Sequence, residues 1–261
     1  MGAPVRRLIA FPCEGETLVG SLDGAGGSTG LLVVSGGNEI RCGAHRGMAA
    51  LASRLAAEGI PVFRFDRRGI GDSSGENGGF EASAADLIAA ASAFRAHCPT
   101  LTRLVGFGNC DGASALALFG NATGLDKLIL ANPWVIEPAD DLPPAAAIRA
   151  RYAERLRDPR AWLRILRGGV DFTKLTAGLR EILQMDSEQG GALEQAVFPG
   201  LASLDTVAIL AERDATATAF RAAARRRRYA GTVVTIDTAS HSFAGSSDKA
   251  ALVDAIRAAL N

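Results

Sequence analysis

The stretch GFGNCDGAS, residues 106–114, decides how the chain is read. It follows the apolar run TRLVGF at 102–107 and precedes an alanine-rich segment with helical spacing. The order predicts a tight turn from a buried strand into a helix over 111–120. Glycines stand two residues before and two residues after Cys110. A nucleophile carried on a strained strand-to-helix turn needs that spacing, because neighbouring backbone passes too close for a Cβ on either side. At the start of a helix the aligned peptide dipoles favour a thiolate. The plainer reading is a packed, inert thiol, since free cysteines are among the most buried residue types.

Outward from that turn, strands and helices alternate. Residues 5–11 and 17–22, separated by Glu14-Gly15-Glu16, predict an antiparallel hairpin at a sheet edge. LLVVS at 31–35 reads as a strand buried on both faces, and a helix follows over 45–58. The rhythm repeats with PVFRF, a helix over 81–96, the Cys110 turn, and KLILAN at 127–132; it resumes with TVAILA at 206–211, a helix over 215–228, TVVTI at 232–236 and a helix over 248–260. Such alternation predicts an α/β protein with a mostly parallel central sheet and flanking helices. Between Pro133 and about Gly200 it stops, and the pattern becomes wholly helical. The expected organisation is a core from residues 1–133 and 201–261, with 134–200 inserted as a helical cap.

Composition narrows the function. Lysine plus arginine equal aspartate plus glutamate at 28 each, so the chain lacks the basic field that nucleic acid requires. No apolar run reaches the ~18 residues of a membrane span, and the first residues lack an export signal, which predicts a cytoplasmic protein without a transmembrane segment. Cys13, Cys42, Cys98 and Cys110 are accordingly expected as reduced thiols, and no metal or cofactor is called for.

A thiolate nucleophile needs a base, and three histidines are available. His97 ends the helix leading into the strand at 102, which puts it at the wrong sheet edge. His45 lies on the correct edge, near a helix start. His241 follows the last strand within DTASHSF. Where such nucleophile turns occur, acid and histidine follow the nucleophile in chain order, with the histidine after the final strand. His241 is therefore the expected base. The acid should follow the preceding strand, where TVAILAERDATATAF supplies Asp214 and, as a neighbour able to substitute, Glu212. Helix capping is the structural alternative for Asp214. Asp66 and Asp72, in FDRRGIGDSSG, are expected to fix their own turn. The oxyanion donors should be the backbone N–H of Asp111 and one from SGGNEI, belonging to Gly37 or Asn38.

Taken together, LLVVSGG, FDRRGIGDSSG, GNCDGAS and NPW resemble the α/β-hydrolase superfamily. More narrowly, GG-x-x-x-R-x-G-x-H-R at 36–46, FRFDRRGIGDSSGE, the Cys-Asp pair, NPWV and RYAERLRDPRAWLRIL resemble the first of two hydrolase families associated with the exosortase A system of Gram-negative bacteria. The resemblance implies the α/β-hydrolase fold, a cysteine nucleophile served by His241 and Asp214, and a setting of exopolysaccharide and protein sorting. Two positions depart from the pattern: Asn38 stands where proline is expected, and Gly112 where alanine is usual. Gly112 makes the turn similar to that of dienelactone hydrolases, whose thiol-contacting glutamate has a loose counterpart in Glu39.

A Cys-His-Asp set performs acyl transfer through an acyl-thioester. A thiolate is itself a good leaving group, so esters and thioesters suit it better than amides. Arg41, His45 and Trp134 are expected beside the substrate. The cap's aromatic and aliphatic positions would select the acyl group, and its arginines would receive an acyl carrier or coenzyme A. Two alternatives share the residues: transfer to a sugar or alcohol acceptor, and a catalytically idle scaffold that binds partners of an export system.

Overall fold

The computed structural model describes residues 5–136 and 191–261. Most of the expected cap falls on 137–190, outside the described residues. Chain contacts divide the protein into two compact units, Met1–Val135 with Ala196–Asn261, and Ile136–Gln195.

The first unit is built on an eight-stranded sheet. Its strands are β1 (Arg6–Cys13), β2 (Glu16–Asp23), β3 (Thr29–Val34), β4 (Val62–Phe65), β5 (Arg103–Asn109), β6 (Lys127–Ala131), β7 (Asp205–Ala211) and β8 (Thr232–Ile236). They lie in the order β1-β2-β4-β3-β5-β6-β7-β8. β1 and β2 form the expected hairpin, antiparallel throughout, and β2 runs antiparallel to β4. Every pairing from β4 through β3 to β8 is parallel. This is an α/β-hydrolase fold with a mostly parallel sheet flanked by helices.

Helices α1 (Gly47–Ala57), α2 (Ala84–His97), α3 (Asp111–Phe119), α4 (Ala192–Ser203), α5 (Ala215–Arg226) and α6 (Ser246–Leu260) complete the described elements. The central strands are apolar on both faces, as burial between two helical layers demands. One face packs Leu31, Val33, Val105, Phe107, Ile129 and Ile209 with Leu51 and Leu55 of α1 and Ile256 of α6. On β4, Phe63 stacks on Phe94 of α2 with ring centroids 5.5 Å apart. At roughly 1.5–3 kcal/mol for each large side chain fully buried, these layers supply most of the force that holds the sheet.

The helix expected over 45–58 starts differently. Ala44–Arg46 form a 3₁₀ turn, with His45 and Arg46 in the left-handed region at φ 50° and 58°, before α1 begins at Gly47. The remaining ends differ from expectation by a few residues, within the fraying common at helix termini. Parallel strands all carry their C-terminal ends to one edge of the sheet. The segments after β3, β4, β5, β6, β7 and β8 therefore converge there.

Candidate active site

Cys110 sits between β5 and α3 at φ 58°, ψ −127°, a conformation a side-chain-bearing residue holds only at a cost of about 1–3 kcal/mol. The turn is tied down on both sides of that residue. Its N–H donates to the Ala131 carbonyl at the end of β6 (2.9 Å), and its carbonyl accepts from Ala113, Ser114 and Trp134 N–H groups at 3.1, 3.3 and 3.3 Å. The Ser114 hydroxyl also donates to the Trp134 carbonyl. The flanking glycines are required by space: a Cβ on Gly108 would lie 2.6 Å from the Gly112 backbone, and one on Gly112 would lie 2.6 Å from the Val34 carbonyl oxygen. Gly112 thus permits close packing against the end of β3.

The Cys110 side chain is buried at 3% exposure, but its surroundings are not pure hydrocarbon. His241, on the loop after β8, faces it closely enough for the thiol to act on the imidazole. The buried His241 Nε2 has no hydrogen-bond partner of ordinary geometry among the described residues. On the opposite side of the ring, Nδ1 meets Asp214 Oδ2 at 3.1 Å. Burial pushes the imidazole pKa down, yet hydrogen bonding to Asp214 and Cys110 and their negative charges outweigh it and raise the value to about 10. Burial likewise pushes Asp214 up, and His241 together with the Ala217 and Thr216 amides leaves it below its ordinary value.

Asp214 makes two contacts, one to the imidazole and one to a helix end. One carboxylate oxygen meets His241, and the other caps α5 by accepting the Ala217 N–H at 3.0 Å. Glu212, the alternative acid, is exposed and contributes backbone instead, its N–H donating to the Ile236 carbonyl at 2.9 Å.

The loop after β3 is held through Gly37. Its N–H donates to Asp111 Oδ1, and its carbonyl accepts from Arg67 Nη2 at 2.6 Å. Asp111 occupies the first position of α3, where a backbone N–H has no acceptor within the helix. Asn38 is exposed, and its side-chain oxygen accepts from Asn77 Nδ2 at 2.9 Å.

Of the three residues expected at the substrate, Trp134 lies against the nucleophile turn through its backbone. Arg41 instead commits its guanidinium to Asp66, to Asp72 at 2.8 Å and to Ser21 at 3.1 Å, fastening the β3 loop to the end of β4. Asp66 also accepts the Asp72 N–H at 3.2 Å, the turn-fixing role expected of this pair. His45 is exposed on the 3₁₀ turn. Among the described residues no group of three or more His, Cys, Asp or Glu is placed to hold a metal ion.

Sequence reading missed Asn132. Fully buried at φ 42°, it accepts the Ala211 N–H on Oδ1 at 2.8 Å and donates from Nδ2 to the His241 carbonyl at 3.0 Å. One amide side chain so joins the ends of β6 and β7 to the histidine loop. The only sequence signal is a buried-strand run ending in an amide just before Pro133.

Solved structures share this fold at low identity. An esterase of Pyrococcus furiosus matches over 99% of this chain and 94% of its own, at 17% identity and TM-score 0.63. A Xanthomonas campestris protein described as an α/β serine hydrolase without a lid matches over 97% and 94%, at 17% identity and TM-score 0.60. The thioesterase domain from the curacin biosynthetic pathway matches over 97% and 99%, at 14% identity and TM-score 0.58. No curated protein matches the sequence. A model of the alpha/beta hydrolase family matches residues 31–255, and with the sheet order and converging loops described above the chain belongs to that family.

Proposed function

We propose that the protein hydrolyses carboxylic esters or thioesters through Cys110, His241 and Asp214. One observation carries the reading: a thiol on a left-handed strand-to-helix turn faces a histidine whose other nitrogen is held by a carboxylate. The raised imidazole pKa favours an imidazolium, the form that can give a proton to the leaving group. Asp214 fixes the ring orientation and supports its charge.

The chemistry follows from that arrangement. The Cys110 thiolate attacks the carbonyl carbon, and the new oxyanion is held by the Asp111 N–H and a second amide from Gly37 or Asn38. Collapse expels the alkoxide or thiolate of the substrate, which takes the proton from His241 Nε2. The neutral His241 then removes a proton from water as it attacks the acyl-thioester, and keeps it while the Cys110 thiolate leaves and the acid is released, which restores the starting pair.

Trp134 is read as a wall of the acyl site and residues 134–200 as the cap that selects the acyl group. Arg41 acts through the loop that it fastens, and His45 borders the opening. The resemblance to the exosortase-associated family supports a setting of exopolysaccharide and protein sorting, and a cytoplasmic location and an acyl carrier or coenzyme A as partner belong to the same proposal. Purified protein and Cys110→Ala, assayed on short and medium acyl esters and thioesters, test the reading. Wild type turns over at least one of them, and the variant loses about 10⁴-fold or more in kcat/KM. Equal, poor turnover by both leaves the idle scaffold as the better account.

A further inference from the structure

We propose that Asp111 is a latch on the oxyanion site: its carboxylate holds the Gly37 N–H in the resting protein and passes to the Arg67 guanidinium when the substrate oxyanion claims that N–H. The inference rests on the acyl-transfer reading above and assigns to the residue after the nucleophile a side-chain task beyond its backbone one.

Three observations lead there. First, Gly37 is one of the two residues able to give the second oxyanion donor, and its N–H is already bound by Asp111 Oδ1. That carboxylate oxygen lies beside the nucleophile: a Cβ built on Gly36 would come within 2.8 Å of Asp111 Oδ1 and 3.3 Å of Cys110 Cβ. A carboxylate there repels a developing oxyanion strongly in a half-buried site, so the reaction needs its charge elsewhere. Second, the receiver stands next to it. Arg67 is 5% exposed, and while Nη2 donates to the Gly37 carbonyl at 2.6 Å, the buried Nη1 has no hydrogen-bond partner among the described residues. A buried guanidinium with an unpartnered nitrogen is a standing cost, relieved when a carboxylate accepts from it. Third, Asp111 is the foremost of the carboxylates whose charge supports Arg67 against burial, which places the two groups in electrostatic contact.

In this arrangement Arg67 is a positioning residue. It acts by taking up the Asp111 carboxylate, and its bond to the Gly37 carbonyl keeps it beside that loop. The static alternative makes Asp111 a permanent strut on Gly37 and gives the donor role to the Asn38 N–H.

The full-length protein, Asp111→Ala, Arg67→Gln and the double variant are compared by the rate of Cys110 acylation from a fluorogenic ester, followed by intact mass. Asp111→Ala should acylate about tenfold faster, because the donor is no longer occupied. Arg67→Gln should slow acylation by about tenfold in the chain that has Asp111, and change it by less than about twofold in the Asp111→Ala chain. Slower acylation by a folded Asp111→Ala protein, or an equal cost of Arg67→Gln in both chains, overturns the latch. If Asp111→Ala does not fold, Asp111→Asn with the Gly37 amide proton followed by NMR gives the answer. Movement of that resonance, in the variant and again on binding an aldehyde inhibitor to wild type, supports the latch, and a stationary resonance overturns it. Adduct formation that ignores Asp111 defeats the latch alone, whereas no Cys110 adduct in any chain defeats the nucleophile and the latch together.

Discussion

On the β7–β8 side of Cys110, acid and base come together by topology. Parallel strands deliver Asp214 and His241 to the same sheet edge in chain order, and a single 3.1 Å contact joins them. On the β3–β4 side the geometry depends on side-chain charge. Arg67 grips Gly37, Arg41 binds Asp66 and Asp72, and Arg64 donates to the Arg41 carbonyl at 2.7 Å while pairing with Asp23 at 2.9 Å. Buried ion pairs of this kind add little net stability but are costly to break singly. The contrast teaches that the proposed reacting groups are set by strand order, whereas the loop proposed to give the second oxyanion donor is set by a web of arginines and carboxylates.

Substitution of Asp214 probes the first side most severely. Asp214→Asn keeps an oxygen able to cap α5 but removes the charge behind the imidazole, and kcat should fall by about 10²–10⁴-fold with little change in melting temperature. Asp214→Ala should add a stability loss of about 1 kcal/mol from the missing cap. If both variants lose stability and activity in equal measure, capping is the residue's principal task.

Asn132→Ala tests whether topology alone suffices there. It strands the Ala211 N–H and the His241 carbonyl, so urea denaturation should show a loss of about 2 kcal/mol. The loosened histidine loop should lower kcat by about tenfold and leave KM nearly unchanged. An unchanged kcat in a folded variant means that the β8 loop places His241 unaided.

The smallest expected effect is on stability against pH. Asp214 has a folded pKa below its ordinary 3.8, so its contribution is present above that value and fades as pH falls through the folded one. His241 is raised from 6.5 to about 10, so its contribution is complete below 6.5 and is lost as pH rises toward 10. Both groups are partly exposed, and solvent screening keeps the effect modest. Melting temperature should fall at the alkaline end in wild type and not in His241→Ala. The same alkaline fall in both proteins removes the imidazolium from the account.

Much of this was legible before any coordinates. The alternation of apolar runs and helical segments led to the parallel sheet, the GxCxG spacing to the turn, and chain order to Asp214 and His241. Each rests on a local rule: strand period, the space a Cβ needs, or the common edge of parallel strands. Beyond a strand run that ends in an amide, nothing marks Asn132, because its bonds reach Ala211 and His241, 79 and 109 residues away, and no local pattern encodes such pairs. Arg67 escaped for the same reason, since an arginine in FDRRGIG reads as a solvated turn residue until β4 is seen to end beneath the β3 loop. Nor does the sequence show that Asp66 and Asp72 turn back to meet Arg41. The start of α1 differed since the left-handed residues His45 and Arg46 have no glycine to announce them.

Whether the sulfur of Cys110 attacks a carbonyl is the claim beneath all of this. Mass analysis of the protein quenched during turnover of an activated ester, with peptide mapping, tests it most directly. The account predicts the mass of one acyl group on the peptide that carries Cys110, removed by hydroxylamine and absent from Cys110→Ala. Turnover with an acyl group found on another residue, or a steady state in which Cys110→Ala hydrolyses the same ester as fast, would contradict it.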